Sequence, residues 1–208
     1  MITVADYYKD KANTFANTPD ISTEGGIGEQ HFPKEGLFVG QLEIDRNFIM
    51  PALVDLLQTN GICMMYKSSG ERKTVNHLLE KLCWRLALTV PTRLCDFVIY
   101  GGDVMAGNLV SMELLPLAFF SERPYKIYYD THQQDFTRLL EKIVSDIPKR
   151  LTQIRLADYG NDDISLVRVN EAEGDDAKIK YQFLVLADFP CHLTEEQASL
   201  LIRIITQG

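Results

Sequence analysis

The sequence predicts an α/β fold with a mostly parallel sheet and helices on both of its faces. Apolar runs at 61–66, 96–101 and 183–188 predict adjacent buried strands, and amphipathic segments between them predict helices. This alternation favours a parallel sheet, because neighbouring parallel strands need a crossover connection. With 208 residues, 46% of them hydrophobic and 24% charged, the chain is expected to form one globular domain with extensions.

The first 35 residues are predicted to be a polar N-terminal extension or linker, and residues 36–208 to be the folded domain. The stretch STEGGIGEQ at 22–30 has the glycine-bearing, polar composition of a loop. The segment GLFVGQLEI at 36–44 predicts a strand, and the apolar segment 47–57 leads toward the strand at 61–66. The predicted strands therefore all lie beyond residue 35.

Apolar residues at helical spacing predict the helices. The first runs from about Thr74 to Thr89, and the second begins near Gln133, with Pro148 expected to break or kink it. Residues 164–190 predict two extended segments around an acidic turn. Thr194 then begins a last helix, because Gln197 follows it at the spacing of a capping box.

Residues 67–74, KSSGERKT, approach the phosphate-binding pattern G-x-x-x-x-G-K-[ST]. In such a P-loop, backbone N–H groups at a helix N-terminus hold phosphate, the lysine neutralises its charge, and the hydroxyl binds magnesium. The candidate nucleotide-binding residues are therefore Ser69, Gly70, Lys73 and Thr74. Lys67 and Arg72 stand where the pattern has glycines. The alternative is a strand–turn–helix with an ordinary surface Lys-Thr pair.

The run FLVLADF at 183–189 predicts a strand that ends at Asp188. An aspartate in this place can hold Mg²⁺ directly or through water, so Thr74 and Asp188 are the candidate ligands of a nucleotide-bound magnesium ion. The next residue is Phe189, where hydrolytic P-loop enzymes of this type carry a glutamate that polarises the attacking water. The alternative is a buried strand that ends at an aspartate beside a turn.

From about Gly36 to Gly208 the chain resembles the motor domain of the FtsK/SpoIIIE family of DNA-translocating P-loop ATPases. Four features carry this resemblance, in order: KSSGERKT (67–74) with its helix, DFVIYGGD (96–103), LLPLAFF (114–120) before a helix containing LLEKIVSDIPKRLT (139–152), and FLVLADFP (183–190) before a helix and ITQG. The resemblance implies a P-loop (RecA-like) fold, incomplete at the C-terminal end because the family continues into another core strand.

The resemblance also implies ATP and Mg²⁺ as cofactors. Lys73 would be the phosphate lysine, Thr74 the magnesium hydroxyl and Asp188 the Walker B aspartate. This chain departs from the family at Lys67 and Arg72, where the family has glycines, and at Phe189, where the family has the catalytic glutamate. Weakened or lost ATP hydrolysis is therefore expected. Double-stranded DNA, in the context of a larger assembly, and a homo- or hetero-oligomeric ring are the implied partners.

Three functions remain open on the sequence. The chain is an ATP-binding module of a DNA-translocating motor, a noncatalytic structural or regulatory subunit of the same fold, or an unrelated α/β protein-interaction domain. Lys73 and Thr74 favour the first, and the missing glycines and glutamate favour the second. The net charge of −8 disfavours nonspecific nucleic-acid binding by the chain alone and suits the second or third.

Cysteine usage and hydropathy predict a cytoplasmic protein. The four cysteines form no C-x-x-C pair and stand singly in apolar segments, so they are expected to be buried free thiols in a reducing compartment. No apolar run approaches the roughly 20 residues that span a bilayer, and the N-terminus lacks the apolar core of a signal peptide. We therefore expect no membrane contact from this segment.

Overall fold

The computed structural model describes residues 32–34, 36–45, 48–56, 59, 61–91, 94–110, 112, 127–157, 165–172 and 178–207. The chain forms two compact units that divide between residues 92 and 93. The predicted loop at 22–30, the segment LLPLAFF at 114–120 and most of the predicted acidic turn lie outside the described residues.

The first unit contains an antiparallel hairpin and a long helix. Strands Leu37–Asp45 (β1) and Phe48–Val54 (β2) pair antiparallel, which confirms the strand predicted at 36–44. The helix Ser69–Thr89 (α1) ends at Thr89 as predicted but begins before Thr74. Arg85 connects α1 to β1, because its Nη1 donates to the carbonyl oxygen of Phe38 at 2.6 Å.

The strand predicted at 61–66 is absent from the structure, and this part of the fold prediction is wrong. These residues have no regular secondary structure. Met65 is 89% exposed and Ile62 is 38% exposed, so the apolar run does not lie in a buried strand. Strand preference measures how well side chains fit a pleated, half-buried surface, and a run without a paired neighbour has no such surface.

The second unit is an α/β structure with a three-stranded parallel sheet flanked by helices. The strands are Cys95–Gly102 (β3), Ile127–Tyr129 (β4) and Tyr181–Leu186 (β5), in the order β4-β3-β5. The parallel pairing of β3 with β5 confirms adjacent parallel strands near 96–101 and 183–188, although β5 ends at Leu186 and does not reach Asp188. The helices are Gln133–Ala157 (α2), Leu166–Ala172 (α3) and Glu195–Gln207 (α4).

The core of the second unit joins the central strand to two helices. Tyr100 of β3 stacks on Phe136 of α2 with ring centroids 4.6 Å apart, and both side chains are fully buried. Leu140 of α2 and Leu201 of α4 belong to the same cluster. Full burial of a large side chain stabilises the fold by about 1.5–3 kcal/mol, so this cluster fixes α2 and α4 on the sheet.

The structure confirms the predicted starts of two helices. The helix α2 begins at Gln133, and it continues through Pro148, so the break expected there does not occur. Thr194 and Gln197 form the predicted capping box before α4: the Thr194 N–H donates to Gln197 Oε1 at 3.0 Å, and the Gln197 N–H donates to Thr194 Oγ1 at 3.1 Å.

The first of the two extended segments predicted within 164–190 is instead the helix α3. Val167 and Val169 alternate with polar residues in the sequence, which mimics a strand, but both are buried in this short helix. The Asn170 side chain fixes the return of the chain, because its Nδ2 donates to the carbonyl oxygen of Ile179 and its Oδ1 accepts from the Ile179 N–H. The strand-like sequence pattern therefore did not determine the structure of this segment, which its tertiary contacts hold as a helix.

The cysteines are all free, but only two of them are buried as predicted. Burial and the nearby Glu80 carboxylate raise the pKa of Cys83 to about 12, and Cys95 is also buried. Cys63 and Cys191 are exposed, because they lie in the irregular segment before α1 and in the turn after β5. Among the described residues, no helix has the length and apolar character needed to cross a membrane.

Candidate functional site

The P-loop-like residues lie at the start of α1, in the first unit. Ser68 is the N-cap residue with extended backbone angles, so Ser69 and Gly70 are already in the first turn of the helix. Lys73 and Thr74 follow in the helix interior, and both are exposed. The Lys-Thr pair therefore does not open the helix, and that part of the prediction is wrong.

The N-terminus of α1 is capped by side chains of the chain itself. The Glu71 N–H donates to Ser68 Oγ at 3.3 Å, and Glu71 Oε2 accepts from the Lys67 N–H at 2.7 Å. A helix N-terminus carries unpaired N–H groups and a partial positive charge, which together attract an anion. The Glu71 carboxylate supplies that negative charge. A phosphate group at this position would be repelled by the Glu71 carboxylate, because both groups are negatively charged.

The backbone at this helix start does not require glycine. A Cβ added to Gly70 would meet no atom within 4 Å, and its φ is not positive. The Arg72 N–H donates to the Ser68 carbonyl oxygen at 2.9 Å, so its backbone is helical. Glycines in a phosphate loop serve positive φ values or close approach of phosphate to backbone. Neither reason applies at Gly70 in this conformation.

Asp188 lies in the second unit, in the turn that follows β5; the sequence predicts a strand that ends at Asp188, but β5 ends two residues earlier, at Leu186. Its side chain is buried and its φ is +55°. Its Oδ2 accepts a hydrogen bond of 2.7 Å from Asn108 Nδ2, which also donates to the Gly101 carbonyl oxygen at 2.9 Å. Asp188 thus joins the segment after β5 to the segment after β3. A Cβ on Gly102, whose φ is +74°, would lie 3.5 Å from the same carboxylate oxygen.

The ends of β3, β4 and β5 meet at one edge of the sheet, because the three strands are parallel. We define the carboxyl edge as the segments that follow these ends: 103–110, 130–136 and 187–197. In open α/β sheets, ligands bind outside the carboxyl ends of the strands. Among the described residues, however, no group of three or more His, Cys, Asp or Glu side chains has a metal-binding arrangement.

Hydrogen bonds hold the segment after β5 in place. The Tyr100 hydroxyl donates to the His192 carbonyl oxygen at 2.5 Å, and Gln133 Nε2 donates to the same oxygen at 2.8 Å. Burial, followed by the nearby Asp130 carboxylate, raises the pKa of Tyr100, while a hydrogen bond from Gln133 lowers it. The hydroxyl therefore remains a protonated donor near neutral pH.

Two features of these sites were not predicted from the sequence. The spacing Ser68-x-x-Glu71 is that of a capping box and indicates a helix with Ser68 as its N-cap residue, but the same residues also lie within the phosphate-like pattern. The sequence gives only a weak indication of the role of Asn108, which is a polar residue shortly after the end of β3 at Gly102. Its contact with Asp188 depends on the adjacency of β3 and β5.

Comparison of the chain with protein-family models, with curated proteins and with solved structures gives no match.

Proposed function

We propose that this chain is an FtsK/SpoIIIE-like module of P-loop (RecA-like) fold that has lost ATP hydrolysis. It serves as a noncatalytic structural or regulatory part of a DNA-translocating assembly. The capped start of α1 carries the noncatalytic part of the proposal. Ser68 and Glu71 occupy the helix N-terminus where a P-loop would hold phosphate, and Lys73 and Thr74 lie beyond the first turn.

The parallel sheet supports the fold resemblance. The strand β3 lies beside β5, and Asp188 lies two residues beyond the end of β5, near the position where the resemblance expects a Walker B aspartate. The two strands are far apart in sequence, so their adjacency is a property of the fold. The missing strand at 61–66 is the point at which the chain departs from the resemblance.

The residues present do not fit a working ATP and Mg²⁺ site. Glu71 places a negative charge at the N-terminus of α1, and the Asp188 carboxylate is buried and hydrogen-bonded to Asn108. Phe189, which is exposed, offers no group that could orient or deprotonate water. The loss of such a group commonly costs about 10²–10⁴-fold in rate, so negligible ATP hydrolysis is expected.

Titration calorimetry with Mg²⁺ and a nonhydrolysable ATP analogue tests this function. We expect no saturable binding by the wild-type chain, and the same heats from Lys73→Ala as from wild type. Lys81→Ala is the matched control, because Lys81 is an exposed lysine further along α1. Saturable, magnesium-dependent binding that Lys73→Ala abolishes and Lys81→Ala preserves would contradict the proposal.

Within the assembly, contact with double-stranded DNA would come mainly from other parts of the homo- or hetero-oligomeric ring. The net charge of −8 opposes binding of a polyanion by this chain alone. The module would then contribute its fold and its protein-binding surfaces, and its partners would contribute nucleotide hydrolysis and DNA contacts.

A further inference from the structure

Exposed apolar side chains lie on two joined segments of the carboxyl edge. Met105, which follows β3, is 89% exposed, and Phe189, which follows β5, is 53% exposed. The hydrogen bond between Asn108 and Asp188 connects these two segments directly. The exposed apolar side chains of these two segments, together called the edge patch below, are those of Val104, Met105, Val110 and Phe189. Several exposed apolar side chains on two hydrogen-bonded segments offer apolar surface that a protein partner could cover.

The carboxyl edge carries charge of one sign. Its described segments contain six carboxylate side chains, of which that of Asp188 is buried, and neither lysine nor arginine. The carboxylates are those of Asp103, Asp130, Asp135, Asp188, Glu195 and Glu196. Charges of one sign beside an apolar patch select a partner of the opposite sign and repel a partner of the same sign.

The edge is also held in a fixed shape. The Val104 N–H donates to Asp130 Oδ1 at 3.3 Å, which connects the segments after β3 and β4. The His192 carbonyl oxygen accepts from Tyr100 and Gln133, which fixes the segment after β5. A surface that is already ordered loses less conformational entropy when a partner binds.

We propose that the carboxyl edge is a docking surface for a basic protein segment that carries apolar side chains. The apolar side chains of the partner pack on the edge patch, and its lysine or arginine side chains face those carboxylates of the edge that solvent reaches, which excludes the buried Asp188. A second copy of this chain would bring the same acidic edge and a net charge of −8, and DNA would bring phosphates, so both are disfavoured by charge.

This inference rests on the proposed role as a noncatalytic module, for which it names the chemistry of a partner. The probe is a fluorescent peptide of alternating lysine and leucine pairs, with binding followed by anisotropy. Matched peptides replace every lysine by glutamate or every leucine by serine, and a DNA duplex is titrated in parallel. We expect only the lysine–leucine peptide to bind, with an affinity that falls as salt is raised.

Substitutions in the protein locate the binding surface. Met105→Ser and Phe189→Ser are each expected to weaken peptide binding about tenfold, since they remove exposed apolar contacts. Ile202→Ser is the matched control, because Ile202 is an exposed apolar residue of α4 outside the carboxyl edge. Asp103→Asn should weaken binding and reduce its salt dependence, whereas Glu141→Gln on α2 should not.

Three results would overturn the inference: failure of the lysine–leucine peptide to bind at low salt, binding that neither Met105→Ser nor Phe189→Ser weakens, or equal binding of the glutamate peptide or the DNA duplex. None of these results depends on the outcome of the nucleotide titration. A chain that binds ATP would contradict the proposed function and would not alter the peptide result. The two proposals therefore fail separately.

Discussion

At the scale of single residues, the start of α1 shows how one side chain changes the meaning of a motif. Lys73 and Thr74 match a phosphate-binding pattern, but the backbone around them is that of a helix that begins at Ser69. Glu71 makes the difference, because its carboxylate accepts the Lys67 N–H and supplies the negative charge that the helix N-terminus attracts. The chain therefore keeps the lysine and threonine of the pattern without its two glycines or its geometry.

Gly70→Ala separates a helix start from a phosphate loop. The added methyl group meets no neighbour, and alanine favours helix over glycine, so the variant is expected to be more stable by up to about 1 kcal/mol. Urea denaturation followed by the fluorescence of Trp84, the single tryptophan and part of α1, measures the change. A loss of stability would show that Gly70 has a backbone role that this helix does not give it.

At the scale of elements, the sequence predicted those parts whose signals are local or strongly periodic. The strands at 96–101 and 183–188, the end of α1, the start of α2 and the capping box of α4 all follow from such signals. The irregular segment 61–66 and the helix α3 were not predicted, because the sequences of both have the pattern of a strand. Whether such a run becomes a strand depends on a neighbour that pairs with it, and no local pattern supplies that information.

Phe136→Ala tests the packing of α2 against β3. Removal of the ring that stacks on Tyr100 leaves a cavity in the core of the second unit, so a loss of about 3–5 kcal/mol in the free energy of unfolding is expected. Chemical denaturation followed by circular dichroism measures it. Gln134→Ala, an exposed position in the same helix, should stay within about 0.5 kcal/mol of wild type. Equal effects of both substitutions would contradict the described core.

At the scale of the whole molecule, the chain consists of two compact units, and its candidate residues are divided between them. Ser69, Gly70, Lys73 and Thr74 belong to the first unit, and Asp188 belongs to the second. The sequence predicted a strand that ends at Asp188, and the strand itself was found because an apolar run is a local feature. The strand β5 ends at Leu186, however, and Asp188 lies in the turn that follows it. The hydrogen bond of Asp188 with Asn108, which are far apart in sequence, could not be predicted without the sheet order.

The most direct test of the account is a paired measurement of nucleotide affinity and melting temperature on three proteins: wild type, Lys67→Gly with Arg72→Gly, and the same double variant with Lys73→Ala. The double variant restores the glycines of the phosphate pattern. Because Arg72 is helical in this structure, glycine there should destabilise α1 by about 1 kcal/mol. We predict a lower melting temperature and no gain in ATP affinity. A gain in ATP affinity that Lys73→Ala removes would contradict the account.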